Sequence, residues 1–82
     1  MTHLDDVRRV LGDALQLGAR VNGFHAATPL LGSLPELDSM AVVAVITAIE
    51  EHFGFTVHDD EISAETFQTL GSLATFVEQK LS

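Results

Sequence analysis

Residues 38–54 read DSMAVVAVITAIEEHFG. Between Asp38 and Gly54 this run contains neither glycine nor proline, and it is longer than an ordinary strand. Aspartate is favoured at the N-terminus of a helix and glycine just beyond its C-terminus. The β-branched residues of the run would also suit a buried strand, but its uninterrupted length and the two glutamates near its end favour a helix. We therefore predict a helix from Ser39 to Phe53.

An amphipathic helix is predicted upstream, from Thr2 to Leu17. Thr2 is a candidate for its N-terminal cap, and Gly18 is a candidate for closing its C-terminus in a left-handed conformation. Apolar residues recur along it at spacings of three and four, as one buried face requires. They are Leu4, Val7, Leu11, Ala14 and Leu15.

From Gly18 to Leu37 no period persists, and glycine and proline interrupt the segment repeatedly. Such a composition predicts one long loop between the first two helices. Long loops in small domains are usually functional or held by their own side chains. The candidates for holding this one are Phe24, Leu30, Leu31 and Leu34.

The remaining chain predicts a short third helix and a final one. After an extended connector, Asp59 or Asp60 can cap a helix that carries Ile62 and reaches about Thr66. Thr69 can cap the last helix. One face of that helix is expected to hold Leu70, Leu73, Phe76, Val77 and Leu81. The fold class is thus all-α: residues 1–82 form a single small domain, a four-helix bundle with a long first loop.

The composition excludes several functions. Twelve acidic and four basic residues give a net charge of −8, which repels nucleic acid and anionic lipid but attracts proteins with basic docking surfaces. The chain has no cysteine, so any thiol chemistry must come from an added group. It has no apolar run of about 18 residues and no secretory-signal layout, which predicts a cytoplasmic protein without membrane insertion. We expect a monomer.

Ser39 directly follows the capping residue Asp38. Backbone N–H groups in the first turn of a helix lack partners and the helix dipole is positive there, so a phosphodiester on Ser39 would be stabilised. Taken alone, however, Asp38 and Ser39 could simply be a capping pair, because both residue types are common at helix starts. These two interpretations are not separated by the dipeptide itself.

The wider sequence resembles the acyl carrier protein family. Asp38-Ser39-Met40 is similar to the family motif Asp-Ser-Leu, and the resemblance extends in order over residues 28–82. The other matching segments are Pro29-Leu30-Leu31-Gly32, Glu50-Glu51-His52-Phe53-Gly54, Asp59-Asp60-Glu61 and Phe67-Gln68-Thr69-Leu70-Gly71-Ser72-Leu73. The carrier domains of peptide synthetases are relatives, but they usually have a glycine-rich approach to the serine that Glu36-Leu37-Asp38 lacks.

The resemblance implies a carrier of acyl-carrier type rather than an enzyme. A phosphopantetheinyl transferase would attach 4′-phosphopantetheine from coenzyme A to Ser39, with Asp38 supporting the helix cap and recognition by that enzyme. The thiol of the arm would hold an acyl group as a thioester, loaded by a ligase or synthase and collected by an acyltransferase of lipid or secondary metabolism. The segment from Leu34 to Val43 is also similar to carriers encoded with exosortase-type surface-protein sorting systems, which implies a specialised bacterial pathway.

Two alternatives to an acyl carrier stay open. One is a carrier of aminoacyl or peptidyl groups, which would differ in the adenylating enzyme that loads it. The other is an acidic four-helix adaptor with an unmodified Ser39.

The resemblance also suggests which residues contact partner enzymes. The family usually has an acidic second helix, whereas here alanines stand at positions often held by carboxylates. We expect a docking surface with acidic ends and an apolar middle, formed by Glu36, Met40, Ala41, Ala44, Glu50 and Glu51. Alternatively, the alanines serve only to let the long loop pack closely.

A cleft for a short acyl chain is expected between the second and third helices. Its candidate lining is Val43, Ile46, Ile49, Phe53, Ile62 and Leu73. The same residues could equally form the ordinary core. The four histidines lack a regular ligand spacing, so we predict no metal site.

Overall fold

The computed structural model describes residues 3–82, apart from the side chain of Asp59. The described residues form three α-helices: α1 (Leu4–Leu15), α2 (Ser39–Phe53) and α3 (Leu70–Leu81). Three 3-10 segments lie in the connections, at Gly18–Gly23, Asp59–Glu61 and Ala64–Phe67. The all-helical fold class, with its long first loop, is confirmed.

The first helix ends earlier than predicted. Its last residue is Leu15, and Gln16 adopts the left-handed conformation that ends it, with φ of 56°. Gly18 is also left-handed, with φ of 60°, but it lies after the helix end. This conformation costs a non-glycine residue about 1 kcal/mol. The reversal brings Leu17 into the core, and burying a leucine contributes roughly 2 kcal/mol, which offsets that cost. The predicted Thr2 cap lies outside the described residues.

The second helix has the predicted bounds and ends. Asp38 Oδ1 accepts a hydrogen bond of 2.8 Å from the Ala41 backbone N–H, which confirms the predicted cap. Gly54, with φ of 79°, turns the chain out of α2, and its N–H donates to the Glu50 carbonyl. An aspartate cap and a left-handed glycine therefore fix both ends of α2.

The predicted third helix is not one continuous helix. Two 3-10 turns replace it, because Ile62 and Ser63 between them leave the helical conformation and Ser63 caps the second turn. Ser63 and Thr66 form a capping box there. Serine suits such a break, since serine hydroxyls compete for backbone groups and favour caps.

The core is built from all three α-helices and both connections. Its fully or almost fully buried side chains are Val7, Val10, Leu11, Leu17, Val21, Leu30, Leu34, Leu37, Val45, Ile49, Phe67, Leu70, Leu73, Ala74 and Val77. In α3 the buried face contains Ala74, whereas the predicted Phe76 is only partly buried and Leu81 is exposed at the helix end. Leu81 lies beyond the last turn that packs on the bundle.

The long first loop pairs with the start of α3. Leu30 N–H and Leu31 N–H donate to the carbonyls of Gln68 and Phe67, and Leu70 N–H donates back to Thr28. Leu30 is completely buried and Leu34 nearly so, as predicted, but Leu31 is 43% exposed and does not hold the loop. Leu31 begins the turn at residues 31–33, all of which are exposed, so its side chain stays outside the core that Leu30 enters.

Candidate functional site

Ser39 is the first residue of α2, and its side chain is exposed. The residue before it, Asp38, is extended, with φ of −105° and ψ of −173°, so the chain enters the helix directly at the serine. Leu37, buried one residue earlier, anchors this entry in the core. The serine hydroxyl therefore faces solvent, while its backbone is anchored by the buried Leu37 before it and by α2 after it.

The start of α2 has unused backbone donors. Asp38 accepts from the N–H of Ala41 through its side chain and from that of Val42 through its carbonyl. Within the described residues, the N–H groups of Ser39 and Met40 find no acceptor. Together with the positive end of the helix dipole, they can stabilise a phosphate on the Ser39 oxygen.

Glu36, three residues before Ser39, forms an ion pair with Arg20 from the Gly18–Gly23 segment. Both guanidinium NH2 groups point at the carboxylate: one contacts Oε2 and the other lies 3.3 Å from Oε1. The Arg20 hydrogen bond lowers the pKa of Glu36 and, reciprocally, the carboxylate raises the pKa of Arg20. This predicted partner-binding acid is thus already engaged within the chain.

The two glutamates near the end of α2 differ in their contacts. Glu50 Oε2 accepts a 2.7 Å hydrogen bond from the N–H of Val57, which ties the connector back to the helix. Glu51 is exposed and forms neither an ion pair nor a side-chain hydrogen bond within the part of the chain that the structure describes. Of these two predicted docking residues, only Glu51 presents its carboxylate to solvent without an internal partner.

The outward side of α2 is largely apolar. Met40 is 83% and Val43 64% exposed, and Ala44 and Thr47 are exposed beside them. Their spacing of three and four residues places all four on one face, which we call the outer α2 surface. Ala41, also predicted to face partners, is partly buried against the core and does not belong to this surface.

A shallow apolar groove lies on another side of α2. It has a volume of ≈ 270 Å³, and its lining residues are Leu31, Val42, Ile62, Ser63, Ala64 and Phe67. Leu31 and Ala64 also line a neighbouring depression of ≈ 290 Å³. Val42 is three residues after Ser39, so the groove begins about 4.5 Å further along the helix axis than the serine. Sites for drug-sized ligands span about 300–1,000 Å³, so this groove suits a short chain.

The residues predicted to line an acyl cleft do not line the groove together, and five of the six belong to the core or pack against it. Ile49 and Leu73 are core residues, and Ile46 and Phe53 pack partly against the core. Val43 lies on the outer α2 surface, because it is one residue after Val42 and therefore rotated about 100° around the helix. Among the predicted set, only Ile62 lines the groove, where it meets Leu31, Val42 and Phe67. Val42 could have been found from its position one turn after Ser39.

Residues 3–82, with the Asp59 side chain left aside, contain no group of three histidine or acidic side chains that could hold a metal ion. Nor does any helix in that stretch have the length and apolarity needed to cross a bilayer.

Comparisons with known proteins agree with this geometry. Residues 5–77 match the family described as phosphopantetheine attachment site. Among solved structures, the chain is similar to the solution NMR structure of a holo acyl carrier protein from Nitrosomonas europaea, with 65% identity and a TM-score of 0.91. That match covers 99% of this chain and 98% of the other. No significant match was found among curated proteins. The chain belongs to the phosphopantetheine-attachment family of acyl carrier proteins.

Proposed function

We propose that this protein carries acyl groups on a 4′-phosphopantetheine arm attached to Ser39. The observation that supports Ser39 most directly is its exposed position beside the Ser39 and Met40 N–H groups, which have no acceptor among the described residues. In the attachment step, the Ser39 oxygen forms a bond to phosphorus and loses its proton. The phosphoanhydride bond of coenzyme A breaks, and the adenosine bisphosphate half leaves.

The arm supplies what the chain lacks, because the sequence has no cysteine and the arm ends in a thiol. A thioester on that thiol would be delivered to a docked enzyme, and tethering raises the effective concentration of the acyl group at the enzyme's active site. The docked enzyme carries out the chemistry. We treat residues 1–82 as one carrier domain that meets its enzymes in the cytoplasm.

The proposed partners are a phosphopantetheinyl transferase, an acyl-loading ligase or synthase, and an acyltransferase of a specialised bacterial pathway. We propose that they dock on the outer α2 surface, whose exposed Met40 and Val43 adjoin Ser39. Exposed apolar side chains grouped on one face are typical of surfaces that meet a partner. A short acyl chain would lie in the groove beside Ile62 and Val42.

The attachment site can be tested by intact-protein mass spectrometry. The protein is incubated with coenzyme A and a broad-specificity phosphopantetheinyl transferase, beside Ser39→Ala and the matched control Ser33→Ala. Ser33 is another exposed serine, six residues earlier. We expect a mass increase of one arm in the wild type and in the Ser33 variant, and none in the Ser39 variant.

Circular dichroism should confirm that all three proteins are folded. A folded wild type that gains no mass would contradict the carrier function and favour an acidic adaptor in which Asp38 and Ser39 only cap the helix. A mass gain that persists in Ser39→Ala would place the arm elsewhere.

The docking surface can be tested with Ala44→Glu, which puts a charge in the middle of the outer α2 surface. A desolvated, unpaired carboxylate in an interface is costly, so we expect kcat/KM with the carrier's own loading ligase or acyltransferase to fall about tenfold. Ala27→Glu adds the same charge at an exposed loop residue and should have little effect. Full turnover of Ala44→Glu would exclude this face as the docking surface.

A further inference from the structure

The ion pair between Arg20 and Glu36 occupies a carboxylate close to the attachment residue. Glu36 lies three residues before Ser39, and Arg20 reaches it from the Gly18–Gly23 segment on the other side of the long loop. The contact is two-pronged, with both NH2 groups of the guanidinium on the carboxylate. Paired contacts of this kind are more directional than a single hydrogen bond.

The pair is not needed to shape the loop. Leu34 and Leu37, on either side of Glu36, are buried, and the N–H groups of both bond to carbonyls of the same segment. The two charged side chains are by contrast well exposed, 55% for Arg20 and 33% for Glu36. Exposed ion pairs contribute little to stability and exchange partners readily. The buried leucines hold the segment, whereas the ion pair decides what Glu36 is free to bind.

The opposite end of α2 provides the contrast. Glu51 is exposed without an internal partner, so a basic side chain of a docking enzyme can bind it without displacing anything. At the Ser39 end, a basic side chain that approaches Glu36 meets Arg20 already in place.

We propose that Arg20 masks Glu36 and competes with a cationic side chain of the docking enzyme for it. This inference rests on the proposed function, because it concerns the enzymes that act at Ser39. The partner chemistry that fits is a surface arginine of the enzyme, since a second guanidinium can reproduce the two-pronged contact that it displaces and a lysine cannot.

The test is the steady-state kinetics of arm transfer by a broad-specificity phosphopantetheinyl transferase at low ionic strength. Arg20→Gln removes the mask, and we expect its KM as carrier substrate to fall about two- to fivefold with kcat unchanged. Arg20→Lys keeps the charge but loses the paired contact, so its KM should lie between those of the wild type and Arg20→Gln. The decrease in KM should be smaller in 0.5 M salt, because screening weakens contacts between exposed charges.

Two controls separate masking from a general change of charge. Arg9→Gln removes one positive charge from an exposed position of α1 and should change KM less than Arg20→Gln does. In a Glu36→Gln background, removing Arg20 should have no more effect than removing Arg9, because there is no carboxylate left to unmask. If removal of Arg20 lowered KM equally with and without Glu36, the proposal would be overturned.

The remaining outcomes are also decisive. A KM that is unchanged or raised in Arg20→Gln, in a protein whose urea midpoint matches the wild type, contradicts masking. If the wild type accepts no arm at all, the proposed function fails and this inference fails with it. If the wild type accepts the arm normally but the Arg20 variants behave like Arg9→Gln, only the masking proposal is lost.

Discussion

The two long connections of the bundle are held in different ways. The first, between α1 and α2, places five side chains in the core: Leu17, Val21, Leu30, Leu34 and Leu37. The second, between α2 and α3, buries only Phe67 to that extent among its described side chains. Hydrogen bonds at the surface hold other parts of the second connection. Val57 N–H donates to Glu50, and Lys80 donates to Glu61.

This difference matches the part that each connection plays at the site. The first leads directly into Asp38 and Ser39, so buried leucines fix the position of the proposed attachment residue. The second forms the far wall of the groove through Ile62, Ala64 and Phe67. Ile62 is only partly buried and Ala64 is exposed, so this part of the wall should open at a lower free-energy cost than the core does. The proposed site therefore combines an attachment residue anchored by buried leucines with a groove whose outer wall is less buried.

The largest expected effect compares one apolar residue from each connection. Leu30→Ala removes a completely buried side chain and should lower the free energy of unfolding by about 2–5 kcal/mol. Ile62→Ala removes a partly buried side chain from the groove wall, and we expect a loss of about 1 kcal/mol. Urea denaturation measures the loss of unfolding free energy in both variants, which can be compared when their m-values are equal. Equal losses would show that the second connection is held as firmly as the first.

An intermediate effect is expected where the first connection touches α3. A Cβ added at Gly71 would lie 2.7 Å from the carbonyl oxygen of Ala26, so Gly71→Ala should push the loop away and cost about 1–3 kcal/mol. Gly23→Ala is the matched control, because a Cβ there meets nothing within 4 Å. Thermal unfolding of both variants measures the difference. A neutral Gly71→Ala would mean that the loop can yield at this contact.

The smallest effect is expected at the polar edge of the second connection. Lys80 Nζ lies 2.7 Å from Glu61 Oε1, and Oε2 of the same carboxylate accepts from His58 N–H. In Lys80→Gln we expect faster hydrogen exchange of the His58 and Glu61 amides at neutral pH, with little change in global stability. Arg8→Gln, which breaks the Asp5–Arg8 pair on α1, should leave these two amides unaffected.

The pH dependence of the Lys80 effect has a definite sign. The hydrogen bond from Lys80 lowers the pKa of Glu61. The contribution of the pair is therefore present above the ordinary carboxyl range and is lost as the pH falls through the lowered pKa of Glu61. Exchange rates of wild type and Lys80→Gln should converge in acid. A difference that persists there would show that the carboxylate is not what holds this edge.

Whether a structural feature can be predicted from the sequence depends on whether local residues or tertiary packing determine it. Local chemistry predicts both ends of α2, because an aspartate before the helix and a glycine after it act within a few residues. It does not predict where α1 ends, since Gln16, a residue without glycine's preference for the left-handed conformation, ends the helix and the turn buries Leu17. The break at Ser63 is likewise visible only once two separate turns are seen to pack.

The features of the site likewise divide into those predicted by local sequence and those that depend on tertiary packing. The position of Ser39 follows from the motif and the helix start, whereas the groove depends on side chains from three separate segments. A shift of one residue, from Val42 to Val43, moves a side chain from the groove to the outer surface. The ion pair between Arg20 and Glu36 joins residues whose spacing carries no pattern, so it could not be read from the sequence.

The backbone pairing between the long loop and the start of α3 has a consequence for synthesis of the chain. The bonds from Leu30 and Leu31 to Gln68 and Phe67 join residues roughly forty positions apart in the sequence. A nascent chain on the ribosome cannot form them until Gln68 has been translated and has left the exit tunnel. We therefore expect the serine-bearing helix to reach its final setting only after Gln68 has emerged, so the transferase would act on chains whose α3 start is already outside the ribosome.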